Sequence, residues 1–109
     1  MTYVKVAKTS DVAPGQIIPI AAQGHNLLLT NVDGQYYALA SKCTHMGADL
    51  CGGKLENGAI ICPKHGAAFD VASGEPVAPA KILFMKMKAK PLASYAVKVE
   101  GDSILVDAS

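Results

Sequence analysis

The chain has 109 residues, half of them hydrophobic and 17% charged, with a formal net charge of +1. That is a globular composition long enough for one core, which argues against a disordered tail and against a general nucleic-acid binder. No run approaches the ~18 apolar residues of a spanning helix, and Met1-Thr2-Tyr3-Val4 does not open an export signal, so a soluble, cytoplasmic protein without a membrane partner is expected.

In chain order the sequence reads as short β segments separated by Gly, Pro, Asn and Asp. Thr2 to Val6 alternates, Gln16 to Ile20 follows Pro14-Gly15, and an apolar run extends from Leu27 toward Val32. Asp33-Gly34 then supplies a two-residue turn before Gln35 to Leu39, a strong hairpin signal. His25, between Gly24 and Asn26, reads as a turn residue. Asn57-Gly58 precedes Ala59 to Ile61, and Gly66 precedes Ala67 to Asp70. Near the end, Tyr95 to Glu100 and Ile104 to Asp107 flank Gly101-Asp102 as a second clear hairpin. The tyrosines at 3, 36, 37 and 95 read as strand packing. So many short strands predict an all-β fold, an antiparallel β-sandwich or barrel, in one domain spanning residues 1–109.

Two stretches break the β pattern. One, from Ser41 to Lys54, is rich in glycine and holds two of the three cysteines. The other, Lys81 to Lys90, sets lysines among Ile82, Leu83, Phe84, Met85 and Met87, with a period that fits neither helix nor strand. Its simpler reading is a solvated face over an apolar anchor. Its sharper one is a patch that docks an acidic partner.

The chemistry sits in two Cys/His pairs, Cys43-Thr44-His45 and Cys62-Pro63-Lys64-His65. An odd number of cysteines without an export signal favours metal ligation or free thiols over a disulfide framework. Each pair is close enough in sequence to reach one metal centre from a tight turn, and the segment between them can run out and return as a hairpin. Two thiolates and two imidazoles suit a tetrahedral zinc ion or a 2Fe–2S cluster. Zinc fingers usually group their cysteines and their histidines separately. Here each loop offers one of each, so both irons of a cluster can draw a ligand from each loop. Cys51 is surplus to this set and reads as a bystander thiol.

Those residues, with Gly47, Gly66, Phe69-Asp70 and Gly74, resemble the cluster-binding motif of Rieske 2Fe–2S proteins. The likeness extends from about Gly15 to Asp107. It implies a base of antiparallel sheets with a small cluster-binding tip made of two loops, about residues 42–54 and 62–67. It also implies one 2Fe–2S cluster per chain, with Cys43 and Cys62 on the buried iron and His45 and His65 on the outer one. The chain departs from the high-potential branch of that family. Ala48 and Lys64 stand where those proteins carry a disulfide between the loops. Ala67 and Phe69 replace a Ser and a Tyr that donate hydrogen bonds to cluster sulfurs, and without such donors a lower potential is expected.

No nucleophile–base pair or phosphate-cradling loop is present, so the chain is not expected to be an enzyme by itself. The resemblance implies a ferredoxin that relays single electrons from a reductase to a terminal oxygenase or another oxidoreductase. The alternative is a small Rieske subunit bound permanently to a larger enzyme of the nitrite-reductase type.

Overall fold

The structure, a computed structural model, describes residues 3–42, 52–62, 68–78, 80–82, 85–87 and 91–108. They form twelve strands: β1 (Val4–Lys8), β2 (Ile17–Ala22), β3 (His25–Val32), β4 (Gln35–Ala40), β5 (Lys54–Glu56), β6 (Ala59–Ile61), β7 (Ala68–Asp70), β8 (Pro76–Ala78), β9 (Ala80–Ile82), β10 (Met85–Met87), β11 (Ser94–Glu100) and β12 (Ser103–Asp107). A 3₁₀ turn, Thr9–Asp11, follows β1.

Six strands make the larger sheet, in the order β1-β12-β11-β4-β3-β2, and every pairing is antiparallel. Its two edge strands, β1 and β2, also approach each other, so the sheet curls toward a barrel and shields its edges. The hairpin turns set the register. At Gln23-Gly24, Asp33-Gly34 and Asn57-Gly58 both central residues have positive φ, the backbone that matches the twist of the flanking strands. Glycine adopts that conformation without steric cost, which is why it recurs at the second position.

A smaller four-stranded sheet, β5-β6-β7-β8, packs beside the barrel. The two units have separate cores that share strands. Leu27 and Leu29 of β3 and Ala38 of β4 join Val12, Ile104 and Val106 inside the curled sheet. Leu28 and Leu39, the alternate residues of the same two strands, pack with Ile60, Cys62, Phe69, Val71 and Leu92 under the small sheet. Successive side chains of a strand point to opposite faces, so a strand between two cores must be apolar on both. That explains Leu27-Leu28-Leu29. The two polar residues that follow are also buried and are satisfied. Thr30 Oγ1 donates to Gln16 O at 2.8 Å, and Asn31 Nδ2 donates to Val12 O at 3.1 Å while its Oδ1 accepts from Gly34 N at 2.8 Å.

One expectation changes, and one stretch left open between helix and strand is settled. His25 is not a turn residue. It begins β3, paired with Ala22, because the turn falls on Gln23-Gly24. Its exposed ring lies 6.1 Å from that of Tyr95. The Lys81–Lys90 stretch, which matched neither period, contains a hairpin. In it β9 pairs only with β10, as Ala80↔Met87, Lys81↔Lys86 and Ile82↔Met85. Strands of three residues are too short to show a period of two.

Candidate metal centre

The small sheet organises the site through one row of its register. Lys54 pairs with Ile61, Ile61 with Ala68, and Ala68 with Ala78. Directly opposed residues of antiparallel strands lie about 5 Å apart, so four strand ends meet at one edge. The first expected loop returns to that edge at Lys54. The second departs at Ile61 and comes back at Ala68.

Cys62 follows this row directly. It is 2% exposed, free of any disulfide, and packed with Ile60, Phe69, Leu39 and Leu28. The first loop starts from the end of β4, which is tied down on both sides. Ala40 N donates to Ala93 O at 2.9 Å, and Ser41 Oγ donates to Asn26 O at 3.1 Å. Ala40 also packs against the core that holds Cys62. Both cysteine-bearing segments are thus anchored on one hydrophobic cluster. Of the four expected ligands the structure places Cys62. Cys43, His45 and His65 lie outside the described residues, as do Cys51, Ala48, Lys64 and Ala67.

The placed residues fit an iron–sulfur cluster. A buried cysteine outside any disulfide is available as a ligand to such a cluster. The shared row brings both loop roots to one place, as a centre with ligands from two loops requires. Phe69, at no measurable exposure, pairs with Ile60 one residue back from the row and closes the core beneath Cys62. It offers no hydrogen-bond donor toward that side.

Sequence reasoning did not see how the small sheet is fastened to the barrel. After β7 the chain turns through Asp70–Gly74, with Ala72 N donating to Asp70 Oδ1 at 2.9 Å and Gly74 N donating to Asp70 O at 2.7 Å. Leu92 N then donates to Gly74 O at 2.7 Å, two residues before β11 begins. Gly74 has φ +78°, and a methyl on its Cα would collide with the Leu92 carbonyl. Glycine is required there twice over, by conformation and by the close crossing of two backbones. The signal was visible as Gly74 itself; the partner, eighteen residues on, was not.

Two cysteine-bearing segments anchored on one core at the end of a small sheet suit a metal centre, and an all-β chain with little helix suits an electron-transfer domain. The chain belongs to the Rieske family: the model of the Rieske [2Fe-2S] domain matches residues 2–103. It is 33% identical over 108 residues to the ferredoxin component of biphenyl 2,3-dioxygenase from Rhodococcus jostii (strain RHA1), covering 98% of this chain and 94% of that one. It is 31% identical to the ferredoxin component of the naphthalene 1,2-dioxygenase system of Pseudomonas putida, covering 98% and 96%. Among solved structures, the ferredoxin of carbazole 1,9a-dioxygenase from Nocardioides aromaticivorans IC177 superposes with a TM-score of 0.81. Its identity is 30%, and 97% of each chain is covered. The cofactor is accordingly one 2Fe–2S cluster, and the chain is an electron carrier rather than a catalyst. Among the described residues no helix is long and apolar enough to cross a membrane.

Proposed function

We propose that this chain is the ferredoxin of an aromatic-ring dioxygenase system, soluble in the cytoplasm, with Cys43, His45, Cys62 and His65 as the cluster ligands of a single Rieske domain. The observation that carries the ligand set is the row Lys54–Ile61–Ala68, which roots both Cys/His loops at one edge beside the buried Cys62 thiol. A bound cluster would supply one-electron redox chemistry between a reductase and a terminal oxygenase. The chain's own residues do the rest. Cys62 would ligate from inside the core, with Ile60 and Phe69 keeping water from that side. His45 and His65 would ligate from the outer side, near a docked partner.

The relatives supporting this reading are ferredoxin components, which favours a separate carrier over a permanently bound nitrite-reductase-type subunit. The test is reconstitution. The purified protein, with its cluster in place, is mixed with a dioxygenase reductase and its terminal oxygenase, and product formation is followed against ferredoxin concentration. Turnover that rises with added protein supports the reading. A protein isolated only in a stable complex with a larger oxidoreductase chain would refute it.

A further inference from the structure

The register row that roots the cluster loops has a fourth member, Ala78, and beyond it the chain goes directly into β9. The β9–β10 hairpin is therefore a third element rooted at the cluster end of the small sheet. It belongs to neither of the other sheets. Its strands hold Lys81 and Lys86, and the surrounding sequence is the stretch of the chain richest in lysine. Lys81, Lys86, Lys88 and Lys90 fall within ten residues, and no Asp or Glu occurs between Glu75 and Glu100. The remaining six lysines are outnumbered by nine acids, so the rest of the molecule is net negative.

The small sheet repeats this polarity. At its loop end stands Lys54, exposed, with exposed Lys42 at the start of the first loop; Lys64 belongs to the second, and Asp49 is the single acid of either loop. At the opposite end, across the Asn57-Gly58 turn, Glu56 and Asp70 both pair with Ala59. Within the hairpin, Lys81 is directly opposed to Lys86. Like charges at opposed positions disfavour a two-stranded ribbon, and such a ribbon is marginal without further strands.

We propose that the β9–β10 hairpin is a cationic docking element for the acidic surface of a redox-partner protein, rooted beside the cluster loops so that docking brings the two redox centres together. This rests on the electron-carrier role proposed above. Such a surface steers encounter and fixes orientation, and its contribution falls with ionic strength.

The test uses the cluster-loaded full chain, its visible spectrum confirming an intact site. Stopped-flow electron exchange with the reductase and with the oxygenase is measured from low to high salt for the parent. A variant with Lys81, Lys86, Lys88 and Lys90 all replaced by Gln is compared with one in which all four are Arg. We expect the Gln variant to lose about tenfold in second-order rate at low salt with at least one partner, and to lose most of its salt dependence. The Arg variant should stay within about twofold of the parent, since charge rather than shape is at work. Equal rates for parent and Gln variant at every ionic strength would overturn the proposal, as would an Arg variant as slow as the Gln one. So would a parent that binds phosphatidylserine vesicles through these lysines while its partner rates ignore them. A parent that exchanges electrons with neither partner would overturn the carrier role and this docking role together, an outcome distinct from the others.

Discussion

The barrel core and the core under the small sheet are built from the same two central strands yet differ in how they are held. The barrel core is aliphatic, closed by strands of five to eight residues, and both ends of the described chain enter it through Val4, Val106 and Ala108. The small sheet has strands of three residues. Its core borrows Leu28 and Leu39 from the barrel strands and Leu92 from the approach to β11, and it includes a cysteine. Strands that short lean on the barrel strands for their core, and a bound cluster should add to their order. The barrel core is complete within its own long strands, whereas the small sheet completes its core with residues of its neighbour.

The largest effect that can test this contrast is removal of the cluster. Replacing any of Cys43, His45, Cys62 or His65 by Ala or Ser should abolish bound iron and sulfide, whereas Cys51→Ser keeps both; metal analysis of the purified variants decides it. A Cys51→Ser protein without a cluster, beside a His45→Ala protein that retains one, would reverse the ligand assignment. In the cluster-free protein, amide exchange should accelerate across β5–β8 and remain slow in β3 and β12. Uniform acceleration would mean that the two regions are one cooperative unit.

Packing comes next. Phe69→Ala should cost about 3–5 kcal/mol in denaturant unfolding, since it empties the centre of the small-sheet core. Gly74→Ala should cost about 2–5 kcal/mol, combining a left-handed backbone with a collision at the Leu92 carbonyl. A mild effect at Gly74 would show that the crossing of residues 74 and 92 relaxes easily. On the barrel side, Asn31→Ala should cost about 1–3 kcal/mol, because it leaves the Val12 carbonyl and the Gly34 amide without their partner.

The smallest effect concerns tuning. A potential near the low end of the Rieske span, roughly −150 mV, is expected from the missing donors at Ala67 and Phe69. Ala67→Ser, placing one hydroxyl near a cluster sulfur, should raise it by about 30–65 mV, if half of a charged hydrogen bond's ~1.5–3 kcal/mol strengthens on reduction. Phe69→Tyr is the poorer test, for Phe69 is fully buried and a hydroxyl there must find room and a partner. Voltammetry of Ala67→Ser with an unchanged visible spectrum is decisive. No rise would move the cause to burial or net charge around the cluster.

Much of this was legible in the residues. The turns at Asp33-Gly34 and Gly101-Asp102 announced two of the hairpins because two-residue loops have few permitted sequences, and Asn57-Gly58 marked the break before β6. The Cys/His spacing announced the cofactor because few centres take one thiolate and one imidazole from each of two loops. Gln23-Gly24 was missed because glutamine rarely takes positive φ, which left His25 looking like the turn. The division into two cores was also hidden. A run such as Leu27-Leu28-Leu29 announces burial on both faces but not which partners supply it. The Gly74–Leu92 crossing and the position of the lysine hairpin are long-range facts, set by which strands pair and not by local pattern.

The sharing of β3 makes its alignment unusually unforgiving. Sliding that strand by one residue against β4 would turn Leu28 into the barrel and drive Leu27 and Leu29 toward the small sheet, exchanging one side chain for two in spaces of different volume. Insertions or deletions in the Asp33-Gly34 hairpin should therefore damage cluster loading as well as the fold, although that turn lies at the opposite end of β3 from the Asn26–Ser41 bond that anchors the first loop. A two-residue bend at one end of a ladder thus governs the packing of the core that holds the Cys62 thiol.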